Sequence, residues 1–491
     1  MKKIFFIVSF FISIFSVAQN AAQWENIYGG PGNEYGYRVR TCLDQGYIVA
    51  GSTSSSGISD GYLVRVDSLG LVMWYKYYRG NNVDIFRSIK QLPDSGYIIA
   101  GYSNSSGTHG GYDGWVMRTD KNGDSLWSKY IGTSNWDFFY DVTQTYDGNF
   151  ILAGGTYGQG EGDEDMYFVK IDANGDTLWT RTQGGIKTDE ARGIIECGDS
   201  LIAAVGFSNS LGDLLGDSWI MRMRETNGDT LWSKTLGQSN IEDKAWGLAD
   251  FYAANRIIIV GETSIQYGDP DAYIQSMTYG GSVLFNIVFG GAGTEDNFTG
   301  IICRPNGTMA AIGTTENVMG NGHGDMYFYH DRTGPFNTIF GSTSVEAGCS
   351  IDLAHDDGYI VCGFTEGFNN FVPQVWLIKI DTTGLSTGVL GIREAPTPTK
   401  MASSTVFPNP ANQDAEIMYD SFDAISGDLQ MNIFDITGRL VETIPNSKWQ
   451  KTSARNATCI IEVSNLNDGI YQFVIHDNAN GKSTGKIIVS H

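Results

Sequence analysis

A unit of about fifty residues recurs along this chain, and it restricts the fold more than any other feature. An aromatic residue just after a Gly-containing turn falls at Trp24, Trp74, Trp127, Trp179, Trp232, Phe285 and Phe336, at steps of 50 to 53 residues. A second aromatic series, Tyr62, Trp115, Tyr167, Trp219, Tyr273, Tyr327 and Trp376, keeps pace with the first. Periods of this length belong to solenoids and propellers, whose units bury their faces only against one another. Within a unit, "YGYRVRTCL", "YIVAGST", "DGYLVRVD" and "MWYKYY" are four β-rich runs divided by turn residues, the content of one propeller blade. No segment of helical period competes with them.

The ends of the array are complementary. The first unit is preceded by a spare "WENIYGG" that matches the fourth strand of later units, and the last unit stops after "VWLIKIDTTG" without one. The spare strand, Trp24 to Gly30, is therefore expected to complete the seventh blade, which closes a ring and leaves no open sheet edge. The expected fold is all-β: a seven-bladed β-propeller of four-stranded antiparallel blades over residues 19–384. The pattern "GYIIAG", Asp before an aromatic strand, Trp and "YGG" resembles secreted bacterial propeller repeats, a resemblance that implies a fold and no activity.

Lys2 and Lys3, the apolar run from Ile4 to Phe15 and the small-x-small Ser16-Val17-Ala18 read as a signal peptide over residues 1–18. No later segment approaches the roughly 20 apolar residues of a spanning helix, so the protein is not expected to be integral to a membrane. The formal net charge of −23 opposes binding to nucleic acid and favours cationic partners or bound cations. The six cysteines show no paired metal-ligand spacing, and only Cys349 and Cys362 are placed for a disulfide.

From residue 385 to 404, prolines and small polar residues mark a linker. The segments that follow over residues 405–491 alternate or cluster apolar residues as a small β-sandwich does. "FPNPA", with Phe407, Pro408, Asn409 and Pro410, is followed by "NIFDITGRLV" with Gly438 and Arg439, "LNDGIY" with Gly469 and Tyr471, and "GKIIV" with Lys486. In order and spacing these resemble the type A C-terminal sorting domain of the type IX secretion system. The resemblance implies that the type IX machinery is a partner, that the protein is secreted or held at the outer cell surface, and that the domain is removed near the linker.

The recurring "DANGDTLW" at Asp172 to Trp179 places oxygen ligands on alternate residues, as a calcium loop does. Position twelve, which needs a bidentate acid, holds Ile131, Gln183 or Leu236 in the three copies. Asn-Gly between strands is a preferred hairpin turn. A turn is expected, with no cofactor and Ca2+ as the alternative. Asp-Ser/Thr-Leu in the same stretch is similar to a bacterial O-glycosylation signal, which makes Ser125, Thr177 and Thr230 candidates.

Acids recur before the first strand of each unit (Glu34, Asp84, Asp137, Glu190, Asp243, Asp296, Glu346) and before the third (Asp60, Asp113, Asp165, Asp217, Asp271, Asp325), with Gln374 breaking the second series. Each repeated acid is expected to bind backbone donors or a neighbouring blade's cation, since the third strands carry Arg65, Arg118, Lys170, Arg222 and Lys379. Ser276 and His330 stand there in units five and six. Asp243, Asp271, Asp296 and Asp325 are therefore expected to be under-compensated, an acidic patch for a cation or cationic ligand. No histidine, His323 and His330 included, has metal-binding spacing, and nothing favours a Ser-His-Asp set. The functional expectation is a noncatalytic binding or adhesion propeller for surface glycans or proteins, through loops such as "SNSSGTHGGYDG" and "TYGQGEGDED". The alternatives are a secreted carbohydrate-active hydrolase or lyase and a passive surface-layer component.

Overall fold

The computed structural model describes residues 23–30, 32–105, 109–212, 215–237, 241–264, 269–290, 293–316, 324–332, 336–367, 372–384, 400–401, 403–407, 411–420, 425, 428–435, 439–453, 456–477 and 481–490. The expected signal peptide and most of the expected linker lie outside them. Two compact units divide the chain, one built on the repeats and one on the C-terminal segment.

In the first unit seven four-stranded antiparallel sheets follow one another in chain order. Blade 1 runs from its inner strand Glu34–Thr41 through Tyr47–Thr53 and Asp60–Val66 to the outer strand Val72–Tyr78. The inner strands of blades 2 to 7 are Asp84–Gln91, Asp137–Gln144, Asp189–Glu196, Asp243–Phe251, Asp296–Cys303 and Glu346–Leu353. Each packs on the next, and Glu346–Leu353 returns to Glu34–Thr41. Trp24–Tyr28 pairs antiparallel with Gln374–Ile380, Trp24 opposite Lys379 and Tyr28 opposite Val375, and so supplies the missing outer strand. The complementary ends of the array are the two halves of one blade.

The second aromatic series fills the seams between blades. All seven rings are buried, and the Phe86 and Trp115 rings of blade 2 stack at 4.5 Å in a cluster with Ile48 and Leu63 of blade 1. Each such ring, fully buried, stabilises the fold by about 2–3 kcal/mol. The first series staples the rim. The indole N–H of Trp127 donates to Ala173 O (3.2 Å), that of Trp179 to Glu225 O (3.2 Å) and that of Trp232 to Tyr279 O (3.1 Å), each a carbonyl in the next blade's outer turn. Asp172 lies inside such a turn, where Oδ1 accepts the N–H groups of Asn174 (2.8 Å) and Asp176 (2.9 Å) around Gly175 at φ +81°. Asp176 reaches back to Lys129 of the preceding blade at 2.9 Å. All six cysteines are free, Cys349 and Cys362 included.

The second unit is a sandwich of a five-stranded and a four-stranded sheet. Met431, Ile433, Phe473 and Ile475 of one sheet and Ile417, Cys459 and Ile461 of the other meet in its core. Pairing begins at Lys400–Met401, inside the stretch expected as linker. Tyr471 is buried with its hydroxyl on Asn467 O (3.0 Å), and Arg439 is 80% exposed, its Nε on Asp435 at 3.0 Å. Gly469 opens the strand Gly469–Asp477. Pro408, Asn409, Pro410 and Gly438 lie outside the described residues, as do the side chains of Phe407 and Lys486.

Candidate functional site

The repeated acids open the inner and third strands of each blade, at the end of the propeller where the inner strands begin. Asp137 accepts Thr133 N (2.6 Å), Thr133 Oγ1 (3.0 Å) and the hydroxyl of Thr156; Glu346 accepts Ser342 N (2.9 Å) and Oγ (2.7 Å). Asp165 takes Glu161 N at 2.7 Å. Gly132 lies between Asp113 and Asp137, where a Cβ would come within 2.0 Å of one carboxylate and 2.7 Å of the other, so these acids face each other across a blade junction through a residue that must be glycine. Burial first, and then the neighbouring Asp189 and Glu346, push Asp165 and Asp325 up to about 6.

Two expectations are corrected by this arrangement. In blade 4 the strand-opening acid is Asp189, opposite Ser208 as Asp137 is opposite Thr156, and Glu190 is displaced one position. The third-strand cations sit at the other end of their strands and pair with acids of the first hairpin: Lys170 with Asp147 (2.7 Å), Arg222 with Asp199 (2.6 Å), Lys379 with Asp356 (2.8 Å), and likewise Arg65 with Asp44 and Arg118 with Asp94. Blades 5 and 6 lack both partners at once, since their first hairpins, at Tyr252–Asn255 and Pro305–Gly307, carry no acid. Ser276 and His330 therefore leave no acid of the first hairpin without its cation, while both carboxylate oxygens of Asp325 are buried with no hydrogen-bond donor among the described residues. Asp243, Asp271, Asp296 and Asp325 are buried; Asp243 and Asp271 flank Thr263 in the strand register of blade 5, and Asp296 and Asp325 flank Thr315 in that of blade 6. No cluster of three metal-ligating side chains occurs among the described residues. His330 is fully buried, its Nε2 3.0 Å from Thr383 O. Ser125, Thr177 and Thr230 are exposed at the first residue of their outer strands.

The positions that converge are ones the repeat does not preserve. In blades 1 to 6 the inner strand slips register by one residue, between Gly36 and Arg38 in blade 1 and at the matching place in the others. Such a bulge re-aims its extra residue. The seven residues at this fourth position, Tyr37, Arg87, Tyr140, Arg192, Trp246, Thr299 and Cys349, all line one central cavity of about 320 Å³. Five of them alternate aromatic and cationic. The Arg87 guanidinium lies 4.2 Å from the Tyr37 ring centre and 5.7 Å from that of Tyr140, and Arg192 lies 4.2 Å from Tyr140 and 4.9 Å from Trp246. A second cavity of about 390 Å³ adjoins along the axis, sharing Arg38, Trp246 and Thr299. Across it Arg38 of blade 1 reaches Asp141 of blade 3 at 2.9 Å.

Beside the channel, at the end where the inner strands begin, loops of blades 2 and 3 add an aromatic shelf. Tyr102, Tyr112, Trp136, Phe138 and Tyr157 touch in series, with centres 5.0 Å (Tyr102–Phe138), 5.6 Å (Tyr102–Tyr112) and 5.9 Å (Tyr112–Trp136 and Trp136–Tyr157) apart. Tyr102 and Phe138 also contact Tyr140, which joins the shelf to the channel. Trp136 is 52% and Tyr157 37% exposed. Tyr112 and Tyr157 come from the two loops singled out in the sequence; Trp136 and the channel residues do not. A comparison of the fourth inner-strand position across units is the signal that finds the latter.

A carboxyl pair lies between shelf and channel. Glu190 is held by Arg192 at 2.8 Å and is buried. Glu164, 5% exposed, is pushed up to about 8 by burial and then by the Glu190 charge, against the opposing pull of the Tyr157 hydroxyl and Arg192. The two carboxyls thus differ in surroundings: Glu164 is desolvated beside the Glu190 charge, while Glu190 is ion-paired with Arg192.

Residues 405–490 match the family described as the secretion system C-terminal sorting domain. The protein is thus addressed for export by the type IX system to the cell surface or outside, and no helix among the described residues is long and apolar enough to cross a membrane. No curated protein matches the chain. Among solved structures it is similar to Sqt1 from Chaetomium thermophilum (11% identity, 77% of this chain and 87% of that one, TM-score 0.43). It is also similar to Drosophila Semaphorin 2a (9%, 96% and 98%, 0.42) and an α-L-arabinofuranosidase from Fusarium graminearum (7%, 60% and 92%, 0.39). At these scores the likeness carries no argument about ligand or activity.

Proposed function

We propose that the propeller is an exported, noncatalytic binding module whose aromatic shelf takes a glycan. The observation that carries this reading is the contiguous run Tyr102–Tyr112–Trp136–Tyr157 with Trp136 and Tyr157 open to solvent. Aromatic faces stack on the apolar faces of sugar rings, and a rigid ring gives contact area at low cost in conformational entropy. Rings so exposed are of no use to the fold's own core, and they stand on loops that a closed sheet scaffold holds in place.

A glycan array on the purified full chain, run beside hydrolysis assays on the glycans it retains, tests this. Binding without product release is expected, and Trp136→Ala is expected to weaken it about tenfold, the loss of roughly 1.4 kcal/mol of stacking. Retention of ligand by Trp136→Ala at full strength removes the shelf from the site.

One observation supports the alternative, a glycan hydrolase. Glu164, pushed up to about 8, lies beside Glu190 in its ion pair with Arg192, and glycoside hydrolysis employs a carboxylic acid of raised pKa beside a second carboxyl. Against it, both side chains are buried, and Glu190 is occupied by Arg192. Product release that disappears in Glu164→Gln would establish the enzyme and end the binding-only reading.

A further inference from the structure

We propose that the central channel contains an anion site centred on Arg87, which takes the carboxylate of a ligand up to one sugar ring in size. The site is separate from the shelf and does not depend on what the shelf binds.

The argument is a count of donors against acceptors around one cavity. Arg87 has no carboxylate partner among the described residues; its charge lies over the rings of Tyr37 (4.2 Å) and Tyr140 (5.7 Å). Contact with ring faces leaves the N–H donors at the guanidinium edge unused. That edge presents parallel N–H donors, which match the two oxygens of a carboxylate. Three further donors that line the same cavity are buried with no acceptor: Nε of Arg38, Nε of Arg192 and Nε1 of Trp246. An orphaned buried donor costs about 1–3 kcal/mol, so a cavity that collects several favours an acceptor-rich occupant.

The acids nearby are already engaged. Asp141 accepts Arg38 (2.9 Å), Ser88 Oγ (2.7 Å), Val142 N (3.0 Å) and Ile194 N (3.1 Å). Glu190 is taken by Arg192, and Glu262 faces Lys244 at 3.5 Å. Further along the axis, Arg40 and Lys90 line the second cavity without an ion pair among the described residues, and Lys90 donates to Thr143 Oγ1 at 3.2 Å. Asp352, the other acid there, accepts Thr41 N (2.9 Å) and Leu353 N (2.9 Å). Burial and then the like charge of Arg40 bring Lys90 down to about 8, which agrees with an excess of positive charge along this wall. A volume of about 320 Å³ suits a small ligand or the terminal residue of a longer one.

The test is titration of the full chain with sodium glucuronate, glucose and sodium sulfate at constant ionic strength, read by calorimetry and by the fluorescence change expected from Trp246. An acidic oligosaccharide ending in the same uronate distinguishes a glycan terminus from a free acid by whether it binds more or less tightly than the monomer. Glucuronate is expected to bind and glucose not to. Arg87→Gln is expected to lose tenfold or more in affinity, and Arg87→Lys nearly as much, because an ammonium keeps the charge without the paired edge donors. Trp136→Ala is expected to leave glucuronate binding unchanged, so failure of the shelf and failure of this site read differently. Should Arg87→Gln melt early, Lys90→Gln is read in its place, with an expected loss of a few-fold and a shallower dependence on salt. Equal binding of glucose and glucuronate, equal binding of sulfate, or full affinity in Arg87→Gln overturns the proposal.

Discussion

The outer turn and the inner strand of the same blade obey opposite rules. At the rim, Trp127, Trp179 and Trp232 make the same bond to the next blade, each to a carbonyl in a Gly-containing outer turn. Around the channel, the fourth inner-strand residue changes from Tyr to Arg to Tyr to Arg to Trp to Thr to Cys. Each of these blades bonds its neighbour in the same way, which holds the indole constant there, although Phe285 and Phe336 stand in the series without that donor. Each blade contributes one side chain to a shared cavity, which sets no requirement that they be alike. In a closed repeat, sameness marks what holds the ring and departure marks what the ring can do.

The comparison is broken most severely at a junction acid. Asp137→Ala removes an acceptor that satisfies one backbone and two hydroxyl donors at a fully buried position. We expect a loss of about 3 kcal/mol in urea unfolding, with affinity for channel ligands unchanged in the protein that remains folded. If stability is kept, the acids are not what joins the blades. A rim indole costs less: Trp179→Phe keeps the ring but not the donor to Glu225 O, and about 1 kcal/mol is expected from the same measurement.

The smallest effect concerns pH and belongs to the inner face. Glu164 is raised in the folded state to about 8, so the folded protein holds a proton that the unfolded chain releases near 4.5. The stability from that proton is complete below the unfolded value and is lost as pH rises through the folded one. Asp165 and Asp325 act in the same direction but are spent above about 6. Between pH 6.5 and 8 the melting temperature should therefore fall as pH rises, and Glu164→Gln should flatten the slope. An unchanged slope in the variant would assign the effect elsewhere.

Much of the fold was legible because it repeats. The two aromatic series gave seven units, and the spare strand at Trp24 anticipated closure on Gln374–Ile380. Asn174-Gly175 read correctly as a turn, because Asp172 spends its carboxylate on the N–H groups of its own loop. The pairing of charges was not legible. Arg65 and its equivalents read as partners for the repeated acids of a neighbouring blade, whereas the strand carries them to its far end, beside Asp44 and its equivalents. Glu190 and Asp189 are adjacent acids that spacing alone does not tell apart; the register of Asp189 opposite Ser208 makes Asp189 the strand-opening acid and places Glu190 one position further along.

The acidic composition also pointed away from the channel. A net charge of −23 describes the whole surface and favours cations, while Arg38, Arg40, Arg87, Lys90 and Arg192 line a central wall whose local sign is the reverse. What the sequence determined by itself is local or periodic: strands from alternation, turns from Asn-Gly, blade number from the period, and the export address from the C-terminal motifs. What only the tertiary structure decided is which side chains meet. Tyr37, Arg87, Tyr140, Arg192 and Trp246 stand roughly fifty residues apart along the chain, and only ring closure together with a one-residue bulge brings each guanidinium within 6 Å of the aromatic rings before and after it.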